Sequence, residues 1–349
     1  MKKITGLLIL LMALVACNSK KADEPPFSFL ADGGLFVLNQ GNFTYANASL
    51  SYYNPADQST MPLVFHQVNG VPLGDVAQSL SVFEDNVYLV INNSGLIYII
   101  DRHSGEFITK ITGFESPRQL LVLNSDKAYV SDLYANYISV LSLATNEITD
   151  KIQLGRSSEA MVLASGKVFV AHWSEYNQTR ENNMVMVIDP ETDQLVDSIQ
   201  VGKEPNSMVV DGGGKVWVLC SGGYLNLENP SLWQIDPVTQ QVIQSFYFQE
   251  KQSNPIGLSY DVLNQSLLFL NGDVFSMSTS DADLPSNAFI ESSDRNFYAL
   301  FVHPDNGDIY LSDAGNYLSN GMVYRYNANG LETDYFDAGI IPGFLGLNR

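Results

Sequence analysis

Residues 115–155 read ESPRQLLVL-NSD-KAYVSD-LYAN-YISVLS-LATN-EITDKIQLG. Four short, alternating apolar segments are each closed by Asn, Asp, Ser or Gly. That is the pattern of antiparallel strands joined by tight turns. The unit opens on an anchor of the form P-x-x-[LM] and carries a central aromatic, Tyr129, in its second strand. The next stretch repeats the plan as SSEAMVLA, KVFVAH and MVMVIDPETDQLVDSIQVG, and the one after it as EPNSMVV, KVWVLC and SLWQIDPVTQQVIQSFYF.

Working outward, Phe36, Tyr88, Tyr129, Phe169, Trp217, Leu268 and Tyr310 occupy the same second-strand position at spacings of 40 to 52 residues. Anchors Pro117, Pro205, Pro255 and Pro342 are each followed three residues on by Leu or Met. Full units begin near Asp75, Pro117, Ser158, Pro205, Pro255 and Phe297. The C-terminal IPGFLGLN holds an anchor and one strand; the N-terminal GGLFVLNQ…SLSYYNPADQSTMPLVFHQV supplies second, third and fourth strands without a first. The two halves make one more blade. The sequence therefore predicts an all-β, seven-bladed β-propeller over residues 34–349, closed by N- and C-terminal strands that share a blade. Closure removes the sheet edges that an open array would expose.

Composition bounds the function. Of 349 residues, 38 are acidic and 18 basic, a net charge of −20, which repels nucleic acid and anionic membrane surfaces. Two cysteines make no disulfide framework, and no zinc-type spacing occurs. Cys220 ends the apolar run KVWVLC and reads as a buried thiol.

The amino terminus reads as an address. Lys2 and Lys3 precede an apolar run from Ile4 to Val15, too short to span a bilayer and of secretion-signal length. It ends in Leu14-Val15-Ala16-Cys17, which resembles a bacterial lipobox. Residues 1–16 are thus expected to be a lipoprotein signal peptide. Cys17 is expected to be acylated, with residues 17–33 forming a flexible tether. The expected location is the outer membrane, on the cell surface, with the lipid anchor as the sole membrane contact.

In a propeller, links between strands two and three share a rim with the links between blades. The opposite rim receives FEDN, NSD, SG, DGGG, HPDNGD, DPET and DPVT, short acidic turns whose Asn, Asp and Gly serve turn geometry rather than calcium. The first rim receives GNFTYANA, NNSG, DLYAN, HWSEYNQTRENN, SGGYLNLENP and DAGNYLSNG, dense in aromatics and amides. The fifth blade, LLFLNGDVF, has only an Asn-Gly hairpin there. One place after each anchor or its equivalent come Gln78, Arg118, Glu159, Asn206 and Tyr298, near the channel mouth. The expected ligand-binding set is Phe43, Gln78, Asn92, Asn93, Arg118, Asp132, Tyr134, Asn136, His172, Trp173, Tyr176, Asn206, Tyr224, Tyr298 and Tyr317. Aromatic faces with amides suit a large, flat ligand rich in amides or hydroxyls.

Catalytic chemistry finds little to use. There is no GxSxG elbow. Among the four histidines, His103 and His303 fall in turns of the acidic rim and His66 in an expected fourth strand, leaving only His172 at the aromatic rim. No metal or catalytic set is expected, and the chain reads as a non-enzyme.

The stretches LGDVAQSL (73–80), NNSG (92–95), SPRQL (116–120) and KAYVSDLYANYISV (127–140), with the DPxT turns and LNQGNF…NASLSYYNP, resemble the BtuG-type cobalamin-binding surface lipoproteins of Bacteroidota, within the YncE-like propellers. The resemblance runs over nearly the whole mature chain. It implies a seven-bladed propeller that captures cobalamin or another corrinoid, carried as ligand rather than cofactor. It also implies delivery to a TonB-dependent outer-membrane transporter of BtuB type. Arg118, Arg180 and Lys203 are the cations placed to offset the phosphodiester of such a ligand. A glycan-binding or protein-interaction propeller would use the same aromatics, and a lactonase-like hydrolase would need a metal.

Overall fold

The computed structural model describes residues 30–173 and 181–349. Seven antiparallel sheets follow one another along the chain, and the innermost strands of neighbouring sheets pack in a closed ring. The unit at 115–155 becomes the strands Pro117–Val122, Lys127–Asp132, Tyr137–Ser142 and Glu147–Gln153, in that order from the channel outward. Outer strands face water, and Glu147–Gln153 fully buries only Ile152.

The ring closes as the half-units required. Pro342–Leu347 is the inner strand of the seventh blade and pairs antiparallel with Leu35–Asn39, with Leu35 opposite Leu347 and Val37 opposite Leu345. Asn348 locks the junction: its Nδ2 donates to the carbonyls of Leu30 (3.0 Å), Ala31 (3.1 Å) and Arg102 (3.2 Å). Residues 30–33 are consequently packed on the ring, within a segment read from sequence as tether.

The second-strand aromatics explain the stacking. Each is at most 2% exposed and lies against the blade that follows its own. Tyr129 packs on Met161, Val168 and Val170, Phe169 on Met208 and Val216, and Trp217 on Leu258, Leu267 and Phe269. Tyr310 meets Val37 and Tyr53 across the closing blade. Burying such a side chain contributes about 1.5–3 kcal/mol, and the repeat supplies one per interface, with Leu268 in place of an aromatic in the fifth blade.

One blade departs from the four-strand plan, and another keeps its fourth strand only in shortened form. The fifth has three strands, Ile256–Asp261, Ser266–Asn271 and Asp273–Ser278. The Asn-Gly hairpin forms there as expected, with Gly272 at φ 74 and Asn271 opposite Asp273. In the seventh, the expected fourth strand stops at Met61, because Pro62 has no N–H to continue the ladder. A helix, Val64–Asn69, follows and buries Val64 and Phe65 against the core shared with the first blade. His66, expected on a strand, is helical.

Candidate functional site

Hydrogen bonds between links confirm which turns share a rim. Leu154 and Gly155 N–H both donate to the carbonyl of Asn136 at 2.9 Å, joining the strand two to three link of the second blade to its inter-blade link. On this rim the channel widens into a mouth of about 920 Å³. That is near the upper end of small-molecule sites, which run ~300–1,000 Å³.

All seven blades send one residue into the mouth from the place after the anchor: Gln78, Arg118, Glu159, Asn206, Ile256, Tyr298 and Gly343. Gly343 is a gap that another side chain fills. A Cβ there would collide with the side chain of Gln40, so Gln40 of the same blade takes the seventh place. The ring of side chains is cross-linked. Arg118 donates to Gln78 Oε1 (2.8 Å) and Glu159 Oε2 (2.6 Å), and Tyr298 donates to Gln40 Oε1 (3.1 Å). Asn206 donates to the carbonyl of Pro255 at 2.8 Å. Burial pushes the Tyr298 phenol above its ordinary pKa, so it stays protonated and donates. The guanidinium of Arg118, held by one acid and one amide, lies 5.5 Å from the Trp173 ring centroid.

Of the residues named from sequence, Gln78, Arg118, Trp173, Asn206, Tyr224 and Tyr298 are brought together at this mouth. Tyr317 stands behind Tyr298, edge to face at 5.9 Å. Phe43, Tyr134 and Tyr224 are exposed on the crest, Tyr224 the most at 90%. Asn93 and Asn136 are exposed, Asn93 donating to Asp75 Oδ2 at 2.5 Å. Tyr176 and Arg180 lie outside the described residues, as do Cys17 and the signal segment.

Three of the named residues sit inside the frame instead. Asn92 is buried and donates to Ser116 Oγ (2.8 Å) and the Pro117 carbonyl (3.1 Å), joining blades one and two. Asp132 is 2% exposed and accepts four backbone N–H bonds, from Glu115, Ser116, Tyr134 and Ala135. His172 is fully buried, its Nδ1 3.3 Å from Arg156 Nη1. Asp132 belongs to a repeated device. Three residues after the repeated second-strand position, Asp132, Asn271, Asp313 and Asn39 each accept an N–H from the chain leading into their own blade's inner strand. That spacing was readable in the sequence and identifies Asp132 as a clasp.

Gln40 and Glu204 are mouth residues that the sequence reading missed. Gln40 follows the clasp position rather than an anchor. Glu204 precedes Pro205 at φ 52, and its carboxylate accepts from Ser221 Oγ (2.6 Å) and the Tyr224 N–H (2.9 Å), fixing the root of the Tyr224 loop. Among the described residues no group of three or more His, Cys, Asp or Glu is gathered to hold a metal.

Residues 33–335 match the model of a domain of unknown function, DUF5074, so the chain belongs to that family. No curated protein matches the chain. Among solved structures, it is similar to a quinoprotein alcohol dehydrogenase-like protein of Bacteroides thetaiotaomicron, with TM-score 0.70 and 14% identity, covering 92% of this chain and 79% of the other. It is also similar to hydrazine synthase of Kuenenia stuttgartiensis, with TM-score 0.60 and 13% identity over 77% of this chain and 88% of that one. For apo AztD of Citrobacter koseri the values are 0.58 and 9%, over 90% and 97%. At such identities the shared property is the propeller fold.

Proposed function

We propose that this DUF5074 propeller is a non-enzymatic capture protein whose mouth takes up cobalamin or a related corrinoid. In this reading it is anchored to the outer membrane through Cys17, faces the outside of the cell, and passes its ligand to a TonB-dependent transporter of BtuB type. The observation that carries the reading is the mouth itself. It is a cavity of about 920 Å³ ringed by cross-linked amides, a guanidinium paired with the Glu159 carboxylate and a phenol, with Trp173 and Tyr224 also in its lining. A corrin is a broad plate fringed with primary amides, and each amide both donates and accepts. Gln40, Gln78 and Asn206 offer matching partners, and the indole of Trp173 offers a flat apolar face.

Calorimetric titration of the mature protein with cyanocobalamin tests this. One ligand per chain is expected, with Trp173→Ala weakening binding about tenfold or more, the scale of one lost aromatic contact and its buried area. Absence of binding by the wild-type protein, or unchanged affinity in Trp173→Ala, would remove the reading. Saturable binding of an oligosaccharide in place of the corrinoid would put a glycan receptor there instead.

A further inference from the structure

The charge of the mouth is unlike that of a site for anions. Among its described lining residues there is one cation, Arg118, and two acids, Glu159 and Glu204. The cation is already committed: Glu159 takes its Nε at 2.6 Å, Gln78 takes Nη1 at 2.8 Å, and the Trp173 face lies alongside. Arg118 and Glu159 side chains are only 13% and 15% exposed, so their pairing is shielded from bulk water and counter-ions. Glu204 faces the same space from the next blade, and among the described residues its carboxylate bonds a hydroxyl and a backbone N–H rather than a cation. The described lining side chains therefore sum to an excess of one negative charge.

We infer that Glu159 and Glu204 make the mouth a charge filter, admitting neutral and cationic ligands and rejecting anionic ones, with Glu159 the residue that sets the selectivity. Arg118 then serves as a positioning residue. It braces Gln78 and the Trp173 ring and does not act as an anion receptor. The inference rests on the reading of the mouth as the binding site and narrows its ligand class to corrinoids without surplus negative charge. An anion reaching Arg118 has to displace Glu159, leaving that carboxylate unpaired where it is poorly solvated.

Two measurements test it, one of them independent of any corrinoid. The first compares cyanocobalamin with the monocarboxylic acid made from it by hydrolysing one side-chain amide. The wild type is expected to bind the acid at least tenfold more weakly, and Glu159→Gln, which keeps an acceptor for Arg118, to close that gap to within about threefold. The second follows Trp173 fluorescence in a Trp233→Phe background, where Trp217, fully buried, is silent to quenchers. Each constant being referred to that of free N-acetyltryptophanamide, iodide is expected to quench the Glu159-containing protein less than caesium does. Glu159→Gln should raise the iodide constant about threefold, the effect of one unit charge a few ångströms away in a largely aqueous setting. Glu204→Gln should move it the same way and Arg118→Gln the opposite way. Equal discrimination in the wild type and Glu159→Gln overturns the filter. If neither corrinoid binds, the capture reading falls and the quenching series alone decides: an iodide constant that ignores both glutamates overturns the filter as well.

Discussion

At the scale of single residues, the molecule separates side chains that face a ligand from side chains that hold the rim in place, and the two kinds alternate closely in sequence. Asp132 shows the difference. It stands two positions before the exposed Tyr134, in a loop dense with amides, yet both its oxygens are saturated by backbone donors inside the frame. Truncating it to Ala leaves four N–H groups without their acceptor. Unpaired buried donors cost about 1–3 kcal/mol each, partly relieved where water can enter. Asp132→Ala is expected to destabilise the fold by about 3–5 kcal/mol in urea titration, and Asp132→Asn by less, since one oxygen remains. An Asp132→Ala protein of unchanged stability but reduced ligand affinity would instead return the residue to the ligand set. Composition of a loop says which residue types are present; it does not say which way a short side chain turns. Asn92 and His172 were indistinguishable from ligand residues for that reason, whereas Arg118, Asn206 and Tyr298 were legible because the anchor fixes their position in each repeat.

At the scale of elements, the fold was legible where the repeat is strict. The aromatic position and the anchors located every inner and second strand, and the complementary half-units at the two ends required the shared blade. The departures occur at outer strands, which bury little and so carry little pattern. In the fifth blade the chain after Ser278 forms a single bridge, Val274 to Ile290, in place of a fourth strand. In the seventh, an apolar run after Pro62 satisfies a strand pattern and a short helix equally, and packing against the first blade selects the helix. The inner strand Pro342–Leu347 carries the most weight of any single element, because its ladder with Leu35–Asn39 pairs the two ends of the ring strand to strand. Leu345 packs on Val37, Tyr53 and Tyr310, while Leu347 lies opposite Leu35. Leu345→Ala is expected to remain folded with a stability loss of about 2–4 kcal/mol. Removing residues 342–349 strips the strand and Asn348 together, exposing an unpaired edge on Leu35–Asn39. That truncated chain is expected to aggregate, as judged by gel filtration. A monomeric, cooperatively melting truncation would show that the seventh blade closes without it.

At the scale of the whole molecule, the net charge of −20 is spread unevenly in kind as well as place. Many of the acids on the rim opposite the mouth are turn residues held by their own backbone and by a repeated lysine. Lys167 donates to Asp189 Oδ2 at 3.0 Å and Lys215 to Asp236 Oδ2 at 2.9 Å, Lys167 opening a second strand and Lys215 immediately preceding one, while each aspartate closes the third. The lysine hydrogen bond, followed by backbone N–H donors in the DPxT turn, holds both carboxyls below the usual carboxylate range. At Asp101 burial pulls the other way, and the Ser104 and His103 donors overcome it. A carboxyl whose pKa is lower folded than unfolded takes up a proton on unfolding. Its contribution is complete above the unfolded value, ~3.9 for Asp, and disappears as pH falls through the folded one. Burial likewise lowers the His303 pKa, so that side chain takes up a proton on unfolding once pH falls below its unfolded value of ~6.5. Stability is therefore expected to decline gently from neutral pH to about pH 5 and to drop steeply below about pH 4, as read from urea midpoints at fixed ionic strength. The self-repulsion of the acidic surface is relieved over the same range, so the observed drop is the turn contribution less that relief. Lys167→Met and Lys215→Met separate the two. Each removes the largest cause of its aspartate's lowered pKa while making the surface more acidic, so the double variant should show a shallower acid limb. A limb of unchanged steepness would assign acid sensitivity to carboxylates elsewhere in the ring, and leave the repeated lysine as a packing element of the blade edge alone.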